Sequence, residues 1–290
     1  MRVVIIGANG QLGTDLVRVL KGREIVIPLT HRKLEVCDFA RTRQVLVQAR
    51  PEVVINTAAF VQVDRCEDEV ERSFQVNTYA VRNLAQICQE LGSLLVHLST
   101  DYVFDGKKRR PYLENDLPHP LSVYGVSKLA GEYFVRTLCE RHLVVRSSGL
   151  YGPAGSSGKG GNFVETMLNL ARAGGRPQQK PIRVVDDQVL VPTYTRDLAE
   201  AIVRLIDSQA LGLYHLTSDG ECSWYEFAQR IFTLLGLSPE LSPTTTEAFA
   251  ARARRPAYSV LRSARLAWRL RPWHQALAEY LQERGYLRAL

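Results

Sequence analysis

The chain has 290 residues with a formal net charge of +7, 46% hydrophobic and 23% charged, a composition that excludes disorder and collagen-like repeats. Its longest apolar runs, at 3–6 and 53–55, fall far below the roughly 18 residues of a membrane helix, and MRVVIIG lacks the apolar core of a signal peptide. The cysteines (Cys37, Cys66, Cys88, Cys139 and Cys222) are odd in number, widely spaced and without a CxxC pair. That argues against a disulfide framework or a zinc cluster, so no metal site is expected and a reducing, cytoplasmic setting is. The positive charge is concentrated at one end: residues 251–290 hold nine Arg against Glu279 and Glu283, and the rest of the chain balances to zero. Such a segment suits an anionic small molecule or a solvated surface; no zinc-finger or RNA-binding signature supports a nucleic acid.

Short β-branched runs at 2–6, 24–29, 51–58, 93–100 and 142–148 read as buried strands separated by helical stretches. The clearest helix is predicted over 73–91, where Val76, Ala80, Leu84, Ile87 and Leu91 share one face. Strands alternating with helices, continuous rather than alternating in apolarity, predict a Rossmann-type, doubly wound parallel α/β sheet covered on both faces. After residue 150 the rhythm loosens. A glycine tract at 152–161, read as a mobile substrate-side loop, precedes a helix at 162–173; further helices are expected at 195–208, 224–235 and 273–284. The tract is no phosphate loop, because Pro153 and Gly160 stand where Gly and a metal-holding Ser or Thr are needed. Residues 1–150 are read as a dinucleotide-binding domain and 151–290 mainly as a smaller α/β substrate-binding domain, with parts of 186–215 returning to the first.

Gly7-Ala8-Asn9-Gly10-Gln11-Leu12-Gly13 follows the first strand directly and opens a helix. Glycines there permit a tight turn and let backbone amides approach a pyrophosphate at the helix N-terminus, which points to a dinucleotide cofactor. After the second strand come Thr30, His31, Arg32 and Lys33, with no carboxylate before Glu35. Thr30 and the basic pair Arg32 and Lys33 favour NADPH without excluding NADH. Asp38 opens the next helical stretch, either as an acceptor for the adenine amine or as an N-cap.

Tyr124 and Lys128 lie four residues apart, hence on one face of a helix. An ammonium beside a phenol lowers its pKa towards the range useful for proton transfer, and its remaining donors can hold a nicotinamide ribose. Thr100, at the carboxyl end of the fourth strand, adds a hydroxyl able to polarise a carbonyl under reduction.

GxxGxxG, NTAAF (56–60), VNTYAVRNLA (76–85), LSTDYVFDG (98–106) and YGVSKLAGE (124–132) together resemble an extended short-chain dehydrogenase/reductase. RSSGLYG (146–152), GGNF (160–163), DDQVLVPTYTRDLA (186–199), GLYHLTSDG (212–220) and ARRPAYSVL (253–261) narrow the resemblance to the dTDP-4-dehydrorhamnose reductases, over nearly the whole chain. The resemblance implies Thr100, Tyr124 and Lys128 as the catalytic triad. It implies Gly7, Gly10, Gln11, Leu12 and Gly13 at the cofactor diphosphate, and Asp38, Phe39, Ala58, Ala59, Phe60 and Val61 along its adenosine and ribose. Thr100, Asp101, Tyr102, Tyr124, Asn162 and Arg255 are the residues it places at a dTDP-sugar. A homodimer is compatible with it, and neither a membrane nor a nucleic acid is implied.

Two departures stand out. Gly149 occupies the position where family members commonly carry a Trp near the sugar, which removes an apolar wall and leaves the sugar identity open. Arg196 stands where a glutamate of a metal-assisted dimer contact is expected. Asn77 is read either as a side chain shaping the carboxyl edge of the sheet or as an ordinary helix Asn, and His97 and His215 as satisfied core residues. Trp224 and Tyr225 are read as packing residues. The rivals are a nucleotide-sugar epimerase or dehydratase of the same fold, disfavoured by a single acid after Thr100, and a non-catalytic NADP-binding regulatory subunit, disfavoured by the intact triad.

Overall fold

The computed structural model describes residues 1–155, 161–173 and 181–287. The loop read as mobile therefore lies, in its 156–160 portion, outside the described residues. The elements run β1 (Arg2–Ile6), α1 (Gln11–Leu20), β2 (Ile25–Leu29), α2 (Phe39–Ala49), β3 (Val53–Asn56), α3 (Ala80–Leu91), β4 (Leu94–Thr100), α4 (Val123–Leu138) and β5 (His142–Ser147). They continue with α5 (Phe163–Ala173), α6 (Thr195–Asp207), β6 (Gly212–His215), α7 (Trp224–Leu234) and α8 (Trp273–Glu283), joined by shorter helices and two-stranded pairs.

The six strands form one parallel sheet in the order β6-β5-β4-β3-β1-β2. Its carboxyl edge is level across the switch point, since Ile6 pairs with both Leu29 and Asn56. There the strand order reverses around β1, and the chain splays apart into the crevice where doubly wound sheets bind ligands. Strands β3 and β4 are buried along their whole length, and one core packs on each face of the sheet. Each fully buried Val, Leu or Ile contributes about 1.5–3 kcal/mol, which is why these strands read as unbroken apolar runs. A third core, around Tyr151, Tyr194, Phe227 and Tyr280, joins α5, α7 and α8.

The helix expected over 73–91 is interrupted. A π turn at Gln75–Tyr79 sits between a short helix at Val70–Phe74 and α3, although the apolar residues keep their helical spacing. The extra residue re-aims Asn77 inward, a common use of such bulges at functional sites.

The basic C-terminal segment meets the chain's own acids. Arg252 pairs with Asp68, Arg255 with Asp64, Arg269 with Asp219, Arg271 with Asp197 and Glu279, and Arg284 with Glu165. The charge asymmetry of the sequence thus pairs residues 252–284 largely with earlier parts of the chain. No helix among the described residues is long and apolar enough to cross a membrane.

Candidate active site

A cleft of about 1310 Å³ opens along the carboxyl edge of the sheet, larger than the roughly 300–1,000 Å³ of a typical single-ligand site. One end is built by the glycine turn. Gly7 adopts φ +78°, and a Cβ on it would stand 2.7 Å from the Thr57 hydroxyl and 2.9 Å from the Ala58 nitrogen. A Cβ on Gly13 would stand 2.3 Å from the Gly7 carbonyl oxygen. Only glycine lets the turn lie this close to the loop after β3 while α1 starts directly beneath it. Gly10 caps α1 without a side-chain acceptor, and no acid occupies the first turn, so the positive end of the helix faces the cleft unneutralised. Gln11 adds a buried side-chain carbonyl oxygen with no partner. An uncapped helix end, an unmet polar atom and a backbone cradle that a Cβ would fill suit a pyrophosphate-bearing dinucleotide.

Gly7, Gly10, Gln11 and Leu12 line this end, with Ala58, Ala59, Phe60 and Val61 opposite. Gly13 lies beneath the turn, outside the lining. Thr30, Arg32, Asp38 and Phe39 do not border the cleft; His31 and Leu34–Cys37 do, together with Arg65 and Arg72. The carboxylate of Asp38 accepts from the Arg41 amide at 2.9 Å, so it serves as the N-cap of α2. Arg65 and Arg72 lie 5.7 and 5.0 Å from the centre of the Phe60 ring. Nothing in the glycine or Tyr/Lys motifs signals this pair, because the two helices that carry it follow β3 without motif residues.

The chemistry-bearing side chains converge at the centre. Ser122 caps α4, accepting from the Gly125 amide at 3.2 Å, and this helix presents Tyr124 and Lys128 to the cleft. Gly125 lets α4 close on the end of β4, since a Cβ there would stand 2.3 Å from the Tyr102 carbonyl oxygen. Thr100 ends β4, its hydroxyl donating to Asp101 Oδ1 at 3.0 Å and accepting from the Tyr102 amide at 3.2 Å. Tyr124 and Thr100 both line the cleft. Burial pushes the Tyr124 phenol above its ordinary value, and the opposing pull comes from Thr100. Lys128 donates to the Leu98 carbonyl at 2.6 Å, and burial pulls its pKa down to about 8.

Asp101 is nearly inaccessible and accepts from the hydroxyls of Thr100, Ser148 at 3.0 Å and Ser259 at 2.5 Å. Burial raises its proton affinity, and the three donors counter this. It thereby ties the ends of β4 and β5 to the C-terminal segment beneath the cleft. Tyr102 packs edge-on to Tyr124 with ring centres 5.8 Å apart, and burial pushes its phenol up to about 12. Arg255 is held in a two-pronged pair with Asp64 at 2.7 and 3.1 Å and stands just outside the lining, which its neighbour Pro256 joins. Asn162 borders the cleft, but its amide donates to the Gly152 carbonyl at 2.9 Å and the Tyr280 hydroxyl at 3.1 Å and caps α5 at Glu165.

Asn77 takes the shaping role. It accepts from the Phe60 amide at 2.9 Å and donates to the Phe60 carbonyl and to Ser127, both at 3.1 Å, clamping the loop after β3 to α4. His215 is satisfied by the Tyr112 carbonyl at 3.0 Å, whereas Nε2 of His97 is buried without a partner. At the far end, Trp224 borders the cleft and packs on Phe163, ring centres 4.6 Å apart.

The position of the missing indole is tightly filled. Gly149 adopts φ +57°, and a Cβ on it would stand 2.8 Å from Leu190 Cδ1 and 2.9 Å from the Val191 carbonyl oxygen. Residues 190–192 occupy the space a side chain at 149 needs, and Leu150 and Leu190 supply apolar wall to the cleft. Gly149→Trp is expected to destabilise the fold by at least about 1–2 kcal/mol, the cost of the left-handed backbone alone, rather than restore a wall. A thermal melt of that variant equal to the parent's would show the segment to be free to retreat.

The family model described as the RmlD substrate binding domain matches residues 1–285. The chain belongs to this family. It is similar to the spore coat polysaccharide biosynthesis protein SpsK of Bacillus subtilis, 42% identical with 98% of each chain covered. It is 38% identical to the dTDP-4-keto-6-deoxy-D-glucose reductase of Streptomyces niveus, with 96% of each covered. The crystal structure of the dTDP-4-dehydrorhamnose reductase of Bacillus anthracis in complex with NADP superimposes with a TM-score of 0.91 at 37% identity, covering 97% of this chain and 99% of that one. The RmlD family thus accounts for the parallel sheet and for the full length of the chain.

Proposed function

We propose that this RmlD-family chain is an oxidoreductase that reduces the C4 ketone of dTDP-4-dehydro-L-rhamnose to dTDP-L-rhamnose with NADPH. The observation that carries the reading is the meeting of Thr100, Tyr124 and Lys128 in one cleft, beside an uncapped helix end fit for a pyrophosphate. NADPH supplies the hydride when bound. Gly7, Gly10, Gln11 and Leu12 would hold its diphosphate, and Lys128 its nicotinamide ribose. The phenol of Tyr124, protonated at neutral pH and held so by burial, gives its proton to the ketone oxygen as negative charge develops there. The Thr100 hydroxyl turns from Asp101 to donate to the same oxygen. Asp101 orients Thr100, and Trp224 with Phe163 closes the far end of the cleft.

Residues 1–150 would carry the cofactor and 151–290 mainly the sugar; the return of β6 to the main sheet and the separate core of α5, α7 and α8 support this division. The wide spacing of the cysteines suits a reducing cytoplasm, and a homodimer is compatible with the reading.

Lys128 must stay cationic to hold the ribose. With its pKa near 8, activity should fall as pH rises through about 8 and hold on the acid side of that value. A kcat/KM profile level to pH 10 would remove Lys128 from this role.

One relative is named for reduction of dTDP-4-keto-6-deoxy-D-glucose and another for dTDP-4-dehydrorhamnose, at 38% and 37% identity. That near-equality, with Gly149, favours a second reading in which the unepimerised sugar is the substrate. Supplying dTDP-4-keto-6-deoxyglucose with and without a 3,5-epimerase separates the two. NADPH oxidation only with the epimerase supports the rhamnose reading; oxidation without it supports the second.

A further inference from the structure

Behind the catalytic face of α4 lies a buried polar layer that proton transfer and cofactor holding do not use. Glu132 follows Lys128 by one helical turn and Tyr124 by two, so the three share a face. Glu132 is wholly buried and Arg146 of β5 is 1% exposed. The guanidinium grips the carboxylate at 2.9 and 2.7 Å, the Ser99 hydroxyl donates to the same carboxylate, and the Phe104 ring lies 5.1 Å from the guanidinium. A buried ion pair is poor currency for stability, because well-packed apolar residues often replace one without loss. Its place beside Lys128 suggests another use.

Lys128 is 3% exposed, and its desolvation works against its charge. Glu132 on its own helix and His97 on β4 act on it, Tyr124 and Asp101 line the same cleft, and behind Glu132 stand Arg146 of β5 and His215 of β6. His97 is held well below its ordinary value by burial and then by Lys128, so it stays neutral and offers no compensating charge. Asp101 is bound up by three hydroxyls. Glu132 is the group whose charge pulls Lys128 back towards its cationic form.

We propose that Glu132, oriented by Arg146, is a positioning residue that keeps the buried ammonium of Lys128 charged and fixes Ser99, the residue immediately before Thr100. The inference deepens the reductase reading and rests on it for the role of Lys128.

The test uses the full chain as Glu132→Gln, as the double variant Glu132→Gln with Arg146→Gln, and as Glu132→Asp. NADPH binding is followed by fluorescence from pH 6 to 10 without sugar, alongside the kcat profile with the 4-keto sugar. Glu132→Gln should move the alkaline limb down by about one pH unit or more, the size expected on removing a nearby opposite charge, and the double variant should move it in the same direction by less, because the more distant Arg146 cation goes with it. Their NADPH affinity near pH 6 should stay within about threefold of the parent, and Glu132→Asp should restore the limb. The double variant leaves no buried charge unpaired, so it reports even where the single one fails to fold. A lower melting temperature with an unmoved limb would overturn the proposal and leave Glu132 a structural brace. A parent chain that binds NADPH but never reduces the sugar would sink the reductase reading, while the binding limb would still judge Glu132.

Discussion

Tyr124→Phe is expected to lower turnover of the 4-keto sugar by roughly two to four orders of magnitude, the usual contribution of a positioned proton donor. The substitution removes one oxygen and leaves the ring, so the edge-on packing against Tyr102 persists. The N-cap at Ser122 and the Lys128 contact with Leu98 do not involve the phenol, so the helix keeps its place. NADPH affinity should therefore change little, and the loss should appear in kcat rather than in KM. The buried Thr100 hydroxyl keeps Asp101 as a partner and is not stranded by the change. Activity within a few fold of the parent would mean that water or Thr100 delivers the proton.

Gly13→Ala should act at the opposite end of the cleft and through the backbone alone. The added methyl would stand 2.3 Å from the Gly7 carbonyl oxygen and 2.8 Å from Ala8 Cα, distances that real Cβ atoms do not keep. The turn must open, and the amides at the start of α1 move off the position that the pyrophosphate needs. Ala is otherwise a better helix former than Gly by about 1 kcal/mol, so the helix itself is not weakened. The expected result is a loss of NADPH affinity of tenfold or more with helical content retained, read by fluorescence titration and circular dichroism. Unchanged affinity would show that the diphosphate does not depend on this close approach.

The parts of this molecule legible in its sequence are those fixed locally. The runs at 2–6, 93–100 and 142–148 announce strands because a strand covered on both faces has no polar side to show. The Gly7–Gly13 turn and the Tyr124–Lys128 spacing are likewise local, since a tight turn and one helical turn each need particular residues at fixed intervals. What stayed hidden depends on distant partners. The π turn at Gln75–Tyr79 leaves the apolar spacing of 73–91 intact and shows only in where Asn77 points. Asp38 reads equally as a ligand or a cap until its Arg41 contact is seen. Arg255 has the chemistry of a diphosphate contact, yet Asp64, nearly two hundred residues earlier, takes both prongs of its guanidinium. Gly149 reads as a lost wall, and only the 190–192 segment lying against it reveals that the space is filled. Arg146 and Glu132 sit in two separate motifs whose meeting is a property of the sheet and helix together.

The phenol and the ammonium each answer first to burial. A Tyr–Lys pair suggests a phenol tuned by its neighbour, but the strongest influence on Tyr124 is burial, countered by Thr100. A donor held protonated is what reduction of a ketone asks for, while the reverse reaction would need the phenolate.

The most direct measurement is the stoichiometry of NADPH oxidation at 340 nm when the purified chain meets dTDP-4-keto-6-deoxyglucose together with a 3,5-epimerase. The account predicts one NADPH consumed per sugar, with dTDP-L-rhamnose as the product. NADPH bound but not consumed, with or without the epimerase, would contradict it.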